Sequence, residues 1–275
     1  MLEHIAEQTC RPGRTIVVDN GSTDGTREWL PDTPCVDVVM HDENVGVGRG
    51  HTVGWSQALG RDGCELLWVL EHDTLPSPEC LVRLIDSIDH LRSRGYRVGA
   101  VAARNERNQS EASRARSSLG SHEVDRFTFN AVLLVREAVQ TVGYPREDFF
   151  VGHEDWDYSR RLREAGFRIF QEDSALSLHG TKGDKRYGIR PGVARSYYAN
   201  RNWFYIRKFE VHERLAAFRC WSWTLGAIVK TVAVDDQKLV RIVARLAAAW
   251  DGLSGRLGPR SYWFLQSTAS KRVSG

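Results

Sequence analysis

Two carboxylates, Glu71 and Asp73, follow directly on the apolar stretch 66–70. A fully buried strand that ends in two carboxylates two residues apart suits Mg²⁺ or Mn²⁺, which proteins hold by one or two carboxylates together with substrate phosphates. His179 ends a later apolar stretch, 175–178, and a histidine at a strand end beside such a site is a candidate ligand. The alternative is that these polar residues only mark where each strand meets water.

Three further carboxylates, Glu154, Asp155 and Asp157, fall within four positions. Apolar residues recur after them at helical spacing, at Tyr158, Leu162 and Ala165. Gly166 then marks the end of the helix. The acids are therefore predicted to lie at or just before a helix N-terminus, where unpaired backbone N–H groups favour negative charge. Taken alone, such a cluster is also explained as acidic capping of a surface helix.

Asp19 closes the β-branched run 15–19 and begins a polar turn, 19–25, that contains two glycines. A buried parallel strand that opens into such a turn is typical of open α/β sheets, in which ligands bind at the carboxyl ends of the strands. Asp19 therefore stands where a ligand-contacting acid would lie. A purely turn-forming aspartate is the alternative.

A second polar turn, 41–50, follows the predicted strand 36–40 and contains three glycines. Glycines let a backbone approach a phosphate closely, and the N-terminus of the helix that follows favours an anion. Arg49 could add a charge-assisted hydrogen bond. Most glycine strings of this kind are ordinary loops, so the signal is weak by itself.

Apolar runs and helical patterns alternate along much of the chain, which predicts an α/β fold. Predicted strands cover residues 15–19, 36–40, 66–70, 98–103, 127–135, 167–171 and 175–178, and predicted helices cover 2–8, 26–30, a stretch ending at 59, 79–91, 136–142 and the stretch before 166. Pro76 and Pro78 are expected to start the helix 79–91. Residues 104–124 are polar and rich in Ser and Arg, and they predict a long mobile loop of the kind that closes over a ligand.

Composition places the chain among folded globular proteins, with 275 residues, 41% hydrophobic and 27% charged. The length suits one large α/β domain or a domain with an appendage. Five scattered cysteines without a C-x-x-C pair predict reduced thiols in a cytosolic protein. No signal peptide is recognised, and the longest weakly polar run, 220–229, is too short to span a bilayer. Nucleic-acid binding fits poorly, because the positive charge is modest and no recognised module is present.

Taken in order, these motifs resemble family 2 glycosyltransferases of the GT-A fold, and the branches that look closest are the bacterial rhamnosyltransferases and galactofuranosyltransferases. The matching residues are 17–26, 44–46, 70–73, 129–131, 152–157, 161, 166–167, 179 and 197–205. Each motif is modest, but the ordered set is fairly specific and spans roughly residues 1–210. The resemblance implies a Rossmann-like, mostly parallel sheet flanked by helices.

The resemblance also implies a role for each candidate residue. Glu71 and Asp73 would stand at the family's D-x-D motif and hold a divalent metal, Mg²⁺ or Mn²⁺, with His179 as a further ligand. Asp155, paired with Glu154, would be the general base that deprotonates the acceptor hydroxyl. The residues expected to bind the nucleotide sugar are Asp19, which would contact the nucleoside, Asn20, Ser22, Asp24, Asn44, Gly46, Arg49 and Asn130.

The implied reaction is a single displacement that inverts the anomeric centre, with a metal on the diphosphate leaving group and a carboxylate base on the acceptor alcohol. The implied donor is a UDP or dTDP sugar of the rhamnose or galactofuranose type, and the implied acceptor is a glycan or a lipid-linked molecule of the cell envelope. A nucleotidyltransferase is less well supported, because its usual glycine-rich signature with Lys or Arg at the first strand is absent. A non-catalytic relative that binds a nucleotide sugar, a glycan or a partner is the other alternative.

Two features depart from the family pattern. Family members usually open with a strand that ends in a turn helping to hold the nucleotide base, whereas this chain begins about where the following helix should be. The fold is therefore expected to lack its first strand and to be destabilised or weakly active, a deficit that added upstream sequence should relieve. Glu71 also replaces the usual first aspartate, and its extra methylene leaves open whether Glu71 or Asp73 ligates the metal directly.

The composition changes after residue 206, which divides the chain into an expected glycosyltransferase domain, 1–206, and a helical extension, 207–275. The extension carries twelve Lys or Arg and five Asp or Glu, a net charge of +7. Helices are predicted over 214–234 and 238–250, and apolar residues of the second share one face: Leu239, Ile242, Val243, Leu246 and Trp250. Basic amphipathic helices with Trp suit the anionic surface at the inner face of the cell membrane, and packing on the catalytic domain or a partner subunit is the alternative.

Overall fold

The computed structural model describes residues 1–60, 63–105, 120–179, 192–235 and 237–266. Its strands are β1 (Thr15–Asn20), β2 (Val36–His41), β3 (Leu66–Val69), β4 (Thr74–Pro76), β5 (Val98–Asn105), β6 (Ser121–Glu123), β7 (Val132–Val135) and β8 (Arg168–His179). Its α-helices are α1 (Leu2–Ala6), α2 (Thr26–Trp29), α3 (Val47–Leu59), α4 (Cys80–Ser93), α5 (Arg136–Val142), α6 (Glu154–Glu164), α7 (Val193–Tyr205), α8 (Ala216–Val234), α9 (Lys238–Leu253) and α10 (Trp263–Gln266). Short 3₁₀ turns at Leu30–Asp32 and Glu147–Phe149 and a π-helical segment at Ile206–Glu210 complete the described elements.

The strands form two sheets. β1 and β2 pair in parallel as a two-stranded sheet, and the other six strands form a sheet with the order β3-β7-β5-β8-β4, in which β6 also pairs with β8. β5 and β8 are parallel, whereas β3 with β7, β5 with β7, β4 with β8 and β6 with β8 are antiparallel. The predicted α/β class, with a sheet flanked by helices, is confirmed. The sheet was predicted to be mostly parallel, and the structure shows a mixed arrangement, with two parallel and four antiparallel pairings among the described strands.

β5 and β7 lie at the centre of the larger sheet and carry the core. Residues 98–103 of β5 and all four residues of β7 are buried. Because successive side chains of a strand point to opposite faces, both faces of the sheet must be covered. α4 packs on this sheet through residues at helical spacing, Leu84, Ile88 and Leu91, each at most 3% exposed. Each such buried side chain stabilises the fold by about 1.5–3 kcal/mol.

The chain divides into two compact units. The first comprises Met1–Asn44, Gly50–Pro145 and Asp155–Gly188, and the second comprises Val45–Arg49, Arg146–Glu154 and Ile189–Gly275. All strands of the described residues belong to the first unit. The helices α7 to α10 belong to the second.

Two predicted strands differ in length from the strands of the structure. Of the predicted strand 127–135, only β7 is extended, because Ala131 has a φ of 59° and interrupts the run just before it. The predicted strands 167–171 and 175–178 are one continuous strand, β8, whose pairing with β5 shifts register between Ala103 and Arg104. A β-bulge of this kind lets one strand run through the residues between the two predicted strands.

Two short strands were not predicted. Pro76 does not start a helix but ends β4, which is an edge strand of the larger sheet, where the missing N–H of proline is tolerated. α4 accordingly begins at Cys80. The predicted loop 104–124 is wrong at two places, because residues 104–105 belong to β5 and residues 121–123 form β6. Its residues 106–119 lie outside the described residues.

An aromatic cluster in the first unit surrounds His51 of α3. The His51 ring lies 4.6 Å from the Phe129 ring and 5.7 Å from the Trp55 ring, and Trp55 in turn packs edge-on against Tyr158. Burial lowers the pKa of His51 from 6.5 to about 4. The imidazole is therefore neutral in the folded protein at neutral pH and packs as a further ring of this aromatic cluster.

The depressed pKa of His51 predicts a loss of stability in mild acid. In the unfolded chain this histidine takes up a proton below pH 6.5, whereas in the folded protein it does so only near pH 4, so stability falls as the pH drops between these values. The expected loss is about 1 kcal/mol for each pH unit in this window. Melting temperatures from pH 7 to pH 4 test this: His51→Gln should flatten the slope, and His90→Gln, which changes an exposed histidine of α4, should not.

Candidate active site

The pairing of β4 with the end of β8 brings the predicted metal ligands together. Thr74 lies opposite His179 in this antiparallel pair, so Asp73, one residue before β4, comes within 3.1 Å of the His179 ring, measured from Oδ1 to Nδ1. A hydrogen bond of 3.0 Å from the Thr74 N–H to the Glu71 carbonyl closes a turn that places Glu71 near Asp73 and His179. As a result, one ligand atom from each of Glu71, Asp73 and His179 lies within 4.8 Å of the others.

This cluster has the composition of a divalent-cation site. All three residues are partly buried, and two carboxylates with one imidazole form a set of oxygen and nitrogen donors that suits Mg²⁺ or Mn²⁺. The contact with His179 holds the pKa of Asp73 below its ordinary value, although burial works in the opposite direction. Asp73 is therefore ionised at neutral pH, as a metal ligand must be.

Asp19 is held by neighbouring groups of the same turn. Its two carboxylate oxygens each accept a hydrogen bond from the Ser22 N–H at 3.3 Å, and the Arg27 guanidinium lies 3.7 Å from Oδ2. Only 1% of the Asp19 side chain is exposed. The geometry is that of a turn-forming aspartate, and contact between Asp19 and a nucleoside stays a prediction.

The other residues predicted near Asp19 are more open. Because β1 and β2 are parallel and in register, their carboxyl ends lie side by side, and the Asn20 side-chain amide donates to Asn44 Oδ1 at 3.2 Å. Asp24 accepts hydrogen bonds from the Thr26 hydroxyl at 2.7 Å and the Thr26 N–H at 3.2 Å, which lower the pKa of Asp24. These polar groups stand where a ligand of an open α/β sheet would bind.

Gly46 and Gly48 have a packing role within the second unit. Gly46 has a φ of 89°, and a Cβ there would lie 2.6 Å from the carbonyl oxygen of Phe150. A Cβ at Gly48 would overlap the carbonyl of Arg146. The Val47 N–H donates to the Phe150 carbonyl at 2.6 Å, so the two segments are in direct backbone contact. This close backbone packing explains why both positions are glycine, and no bound phosphate is needed to explain them. Arg49 is exposed in the first turn of α3.

Asp155 lies in the first turn of α6, as predicted. Its Oδ1 accepts a hydrogen bond from the Trp156 N–H at 2.7 Å, and its backbone carbonyl accepts one from the Ser159 hydroxyl at 2.8 Å. Burial raises the pKa of Asp155 above its ordinary value of 3.8 and outweighs the effect of the Trp156 N–H. A carboxylate with a raised pKa accepts a proton more readily near neutral pH.

The two neighbouring acids differ from Asp155. Asp157 is fully buried and forms ion pairs with Arg160 at 3.0 Å and Arg161 at 2.8 Å, so its negative charge is balanced by arginines within the fold. Glu154 is the first residue of α6, is 9% exposed, and belongs to the second unit. Its position places the carboxylate beside the unpaired backbone N–H groups of a helix N-terminus.

Asn130 lies in the irregular segment ahead of β7. Its Oδ1 atom is buried and has no hydrogen-bond partner among the described residues. An unsatisfied buried carbonyl oxygen costs about 1–3 kcal/mol unless a donor reaches it. The prediction that Asn130 contacts a ligand is consistent with this acceptor.

Residues 197–205 match a family motif whose role the sequence does not reveal, and the structure shows what two of them contact. Arg201 and Asn202 are fully buried in α7. The Asn202 Nδ2 donates to the carbonyls of Phe149, Val151 and Gly152 at 2.9, 3.2 and 2.7 Å. The Arg201 guanidinium donates to the carbonyls of Asp148 and Phe149 and to Asn202 Oδ1. Together they hold the backbone that leads to Glu154.

The backbone that Asn202 holds is strained. Phe150, Gly152 and His153 adopt φ values of 64°, 92° and 69°, and two of them are not glycine. Residues other than glycine reach this region only when surrounding contacts compensate for the cost. The hydrogen bonds from α7 supply such contacts.

Asn202→Ala should lower the stability of the protein by about 2–4 kcal/mol, because three carbonyls and the Arg201 guanidinium each lose a partner. The measurement is urea unfolding of wild type and variant, followed by far-UV circular dichroism. Asn200→Ala, a partly buried position on the same helix, is the control and should shift the midpoint much less. Equal midpoints for Asn202→Ala and wild type would show that these bonds do not hold the segment.

Comparison with known proteins identifies the family. The model of the family described as "Glycosyl transferase family 2" matches residues 1–143, which is more than half of the chain. The chain belongs to glycosyl transferase family 2. It is a glycosyltransferase, and its family resemblance is confirmed at that level. No curated protein matches the sequence.

Solved structures of glycosyltransferases share the fold of this family 2 member. A mannosyltransferase of Pyrobaculum calidifontis, PcManGT, in complex with GDP-Man and Mn²⁺, has 18% identity and a TM-score of 0.55 over 93% of this chain and 82% of that chain. GalNAc-T7 with UDP, GalNAc and Mn²⁺ has 11% identity and a TM-score of 0.57 over 76% of this chain and 44% of that chain. S. aureus TarS 1–349 has 14% identity and a TM-score of 0.51 over 93% and 77%. At these identities the likeness shows the GT-A fold, which confirms the predicted fold.

Among the described residues, none of the helices combines the length and the apolar character needed to cross a bilayer.

Proposed function

We propose that this glycosyltransferase transfers a hexose of the rhamnose or galactofuranose type from a nucleotide diphosphate sugar to a hydroxyl group of a cell-envelope glycan or lipid-linked acceptor, with inversion of the anomeric centre. The observation that carries the proposal is the cluster of Glu71, Asp73 and His179, whose ligand atoms lie within 4.8 Å of one another. Two proteins of the same fold are complexes with Mn²⁺ and a nucleotide or nucleotide sugar, which supports a similar use of the cluster.

Glu71, Asp73 and His179 would hold Mg²⁺ or Mn²⁺, which when bound neutralises charge on the departing diphosphate. Asp73 contributes a carboxylate that the His179 contact keeps ionised. Glu71, placed in the same turn, contributes the second carboxylate. The nucleotide would lie along the polar turns that follow β1 and β2, where the side chains of Asn20 and Asn44 are hydrogen-bonded to each other. The donor is expected to be a UDP or dTDP sugar.

Asp155 would act as the general base. Its raised pKa, caused by burial, makes it a stronger proton acceptor than an exposed aspartate. It would take the proton from the acceptor hydroxyl as the oxygen attacks the anomeric carbon, and a single displacement needs no covalent intermediate. Glu154 would assist from the start of α6, where the segment held by Asn202 ends.

The catalytic part of this protein is proposed to extend over residues 1–206, with residues 207–275 as a basic helical extension. The protein is proposed to work in the cytoplasm, at the inner face of the cell membrane, where a lipid-linked acceptor would be presented. The cysteine pattern and the basic charge of the extension support this location.

Binding and hydrolysis of a panel of UDP, dTDP and GDP sugars, with and without Mn²⁺ or Mg²⁺, test the proposal. We expect one donor to bind and turn over only when the metal is present, and a dTDP or UDP hexose to be that donor. Full binding and turnover in the presence of a chelator would contradict the metal role. Metal-dependent binding of a donor without any turnover would favour the alternative of a non-catalytic relative.

A further inference from the structure

The helix α8 buries its less apolar face. At 100° per residue, the buried positions Ala216, Cys220, Thr224 and Thr231 form one stripe of small or polar side chains. The two hydroxyls bond to carbonyls of the same helix, Thr224 to Cys220 at 2.8 Å and Thr231 to Ala227 at 2.9 Å. The stripe on the opposite side of the helix is exposed and apolar: Phe218, Leu225, Val229 and Val232, with exposures of 70%, 59%, 70% and 50%.

The next helix, α9, is arranged in the same way. It buries three alanines, Ala244, Ala248 and Ala249, and exposes large apolar residues. These are Leu239 at 71%, Leu246 at 39% and Trp250 at 58%, and their spacing of seven and four residues repeats that of Phe218, Leu225 and Val229. Each of these two neighbouring helices therefore directs a stripe of large apolar side chains to solvent, and exposed apolar surface of this kind marks an interaction site.

Among the described residues around these helices, the exposed charged side chains are all positive. Within the described part of residues 207–266, the exposed ionic side chains are Lys208, Arg214, Arg219, Lys230, Lys238 and Arg256. The acidic residues of the same part are buried or partly buried and are paired. Glu210 pairs with Arg146, Glu213 with Arg207 and Arg219, Asp235 with Arg241, and Asp251 with the hydroxyls of Tyr197 and Tyr262.

We propose that the outward faces of α8 and α9 form a docking surface for an anionic lipid bilayer. The apolar stripes would enter the interface between head groups and acyl chains, and the basic side chains would contact lipid phosphates. A second copy of this chain fits the same surface less well, because it would bring the same positive charges face to face. None of the helices in the described residues can cross the bilayer, so the helices would lie in its plane. The inference deepens the proposed function, since it would place the enzyme where a lipid-linked acceptor lies.

Vesicle sedimentation with the full chain tests this docking surface. We expect binding to vesicles of phosphatidylcholine with phosphatidylglycerol, little binding to phosphatidylcholine alone, and weaker binding in high salt. The double variant Leu225→Gln, Val229→Gln should bind about tenfold or more weakly. Lys230→Gln with Lys238→Gln should reduce the preference for the anionic vesicles. Trp29→Gln, which changes a 54% exposed tryptophan of the first unit, is the matched control and should bind as wild type does.

Two results would overturn the inference. The first is equal vesicle binding by wild type and the Leu225, Val229 double variant. The second is absence of vesicle binding together with a dimer, seen by analytical ultracentrifugation, that the same double variant dissociates. Donor hydrolysis measured in solution distinguishes a failure of this inference from a failure of the proposed function. The double variant should hydrolyse the donor at the wild-type rate, whether or not it binds vesicles.

Discussion

Asp155→Asn should lower kcat about 10²- to 10⁴-fold and leave the Kd of the donor unchanged. A positioned general base contributes a factor of about this size, and the amide cannot take the proton of the acceptor hydroxyl. The amide oxygen can still accept the hydrogen bond that the Trp156 N–H donates at 2.7 Å, so the first turn of α6 should be preserved. Steady-state rates and donor titration calorimetry of wild type and variant, both with Mn²⁺, give the two quantities.

Asp157→Asn is the matched control, two residues further along the same helix. Asp157 is fully buried between Arg160 and Arg161, and removal of its charge takes one carboxylate from each guanidinium group, although Arg160 keeps its ion pair with Glu164. That variant should lose about 3–5 kcal/mol of stability. Asp155→Asn should keep or raise the melting temperature, because burial disfavours the ionised carboxylate that the amide replaces. A fall in melting temperature like that of Asp157→Asn would mean that Asp155 is structural.

The pH dependence of kcat/KM should reflect the ionisation of Asp155. A base works only when it is ionised, so activity is present above the pKa of Asp155 and is lost as the pH falls through it. Because burial raises this pKa above 3.8, the acid limb should lie at a higher pH than an ordinary aspartate would place it. The residual activity of Asp155→Asn should lack this limb. An unchanged acid limb in the variant would assign it to another group.

The sequence predicts best those parts of the fold that rest on local pattern. β1, β2 and β5 were predicted to within two residues, because each is a run of apolar or β-branched residues bounded by polar turns. β4 was missed because its three residues, one of them proline, become a strand only by pairing with the end of β8, about a hundred residues later. The predicted strand 127–135 was too long, because Phe127 and Phe129 alternate as the residues of a strand do. In the structure they pack instead in the aromatic cluster with Tyr158.

The residues of the candidate site were likewise predicted only where a local sequence pattern marks them. The cluster of Glu71, Asp73 and His179 was predicted because carboxylates and a histidine at strand ends leave a visible pattern. The hydrogen bonds of Asn202 were not, because its partners lie about fifty residues earlier in the chain. Periodicity placed Leu239, Leu246 and Trp250 on one face of α9, but periodicity alone does not show whether the apolar face is buried or exposed.

Asp73→Ala should weaken metal binding about 100-fold or more and abolish metal-dependent binding of the donor. Asp73 supplies one of the two carboxylates of the cluster, and its removal also takes away the group that lies 3.1 Å from the His179 ring. Loss of a partner that only orients a ligand costs about 10–100-fold in metal affinity, and loss of a ligand should cost at least as much. Titration of free Mn²⁺ by electron paramagnetic resonance measures the metal directly, without donor or turnover.

His72→Ala is the control for Asp73→Ala, since His72 lies in the same turn but is exposed and is not part of the cluster. It should leave the Mn²⁺ affinity within about threefold of wild type. Glu71→Gln then decides between the two carboxylates. If Glu71 ligates the metal directly, Glu71→Gln should weaken Mn²⁺ binding as strongly as Asp73→Ala does, and a much smaller effect would assign the direct bond to Asp73 with His179. Wild-type Mn²⁺ affinity in Asp73→Ala would remove the metal site from the proposed mechanism, because neither Glu71 nor His179 alone holds a divalent cation tightly.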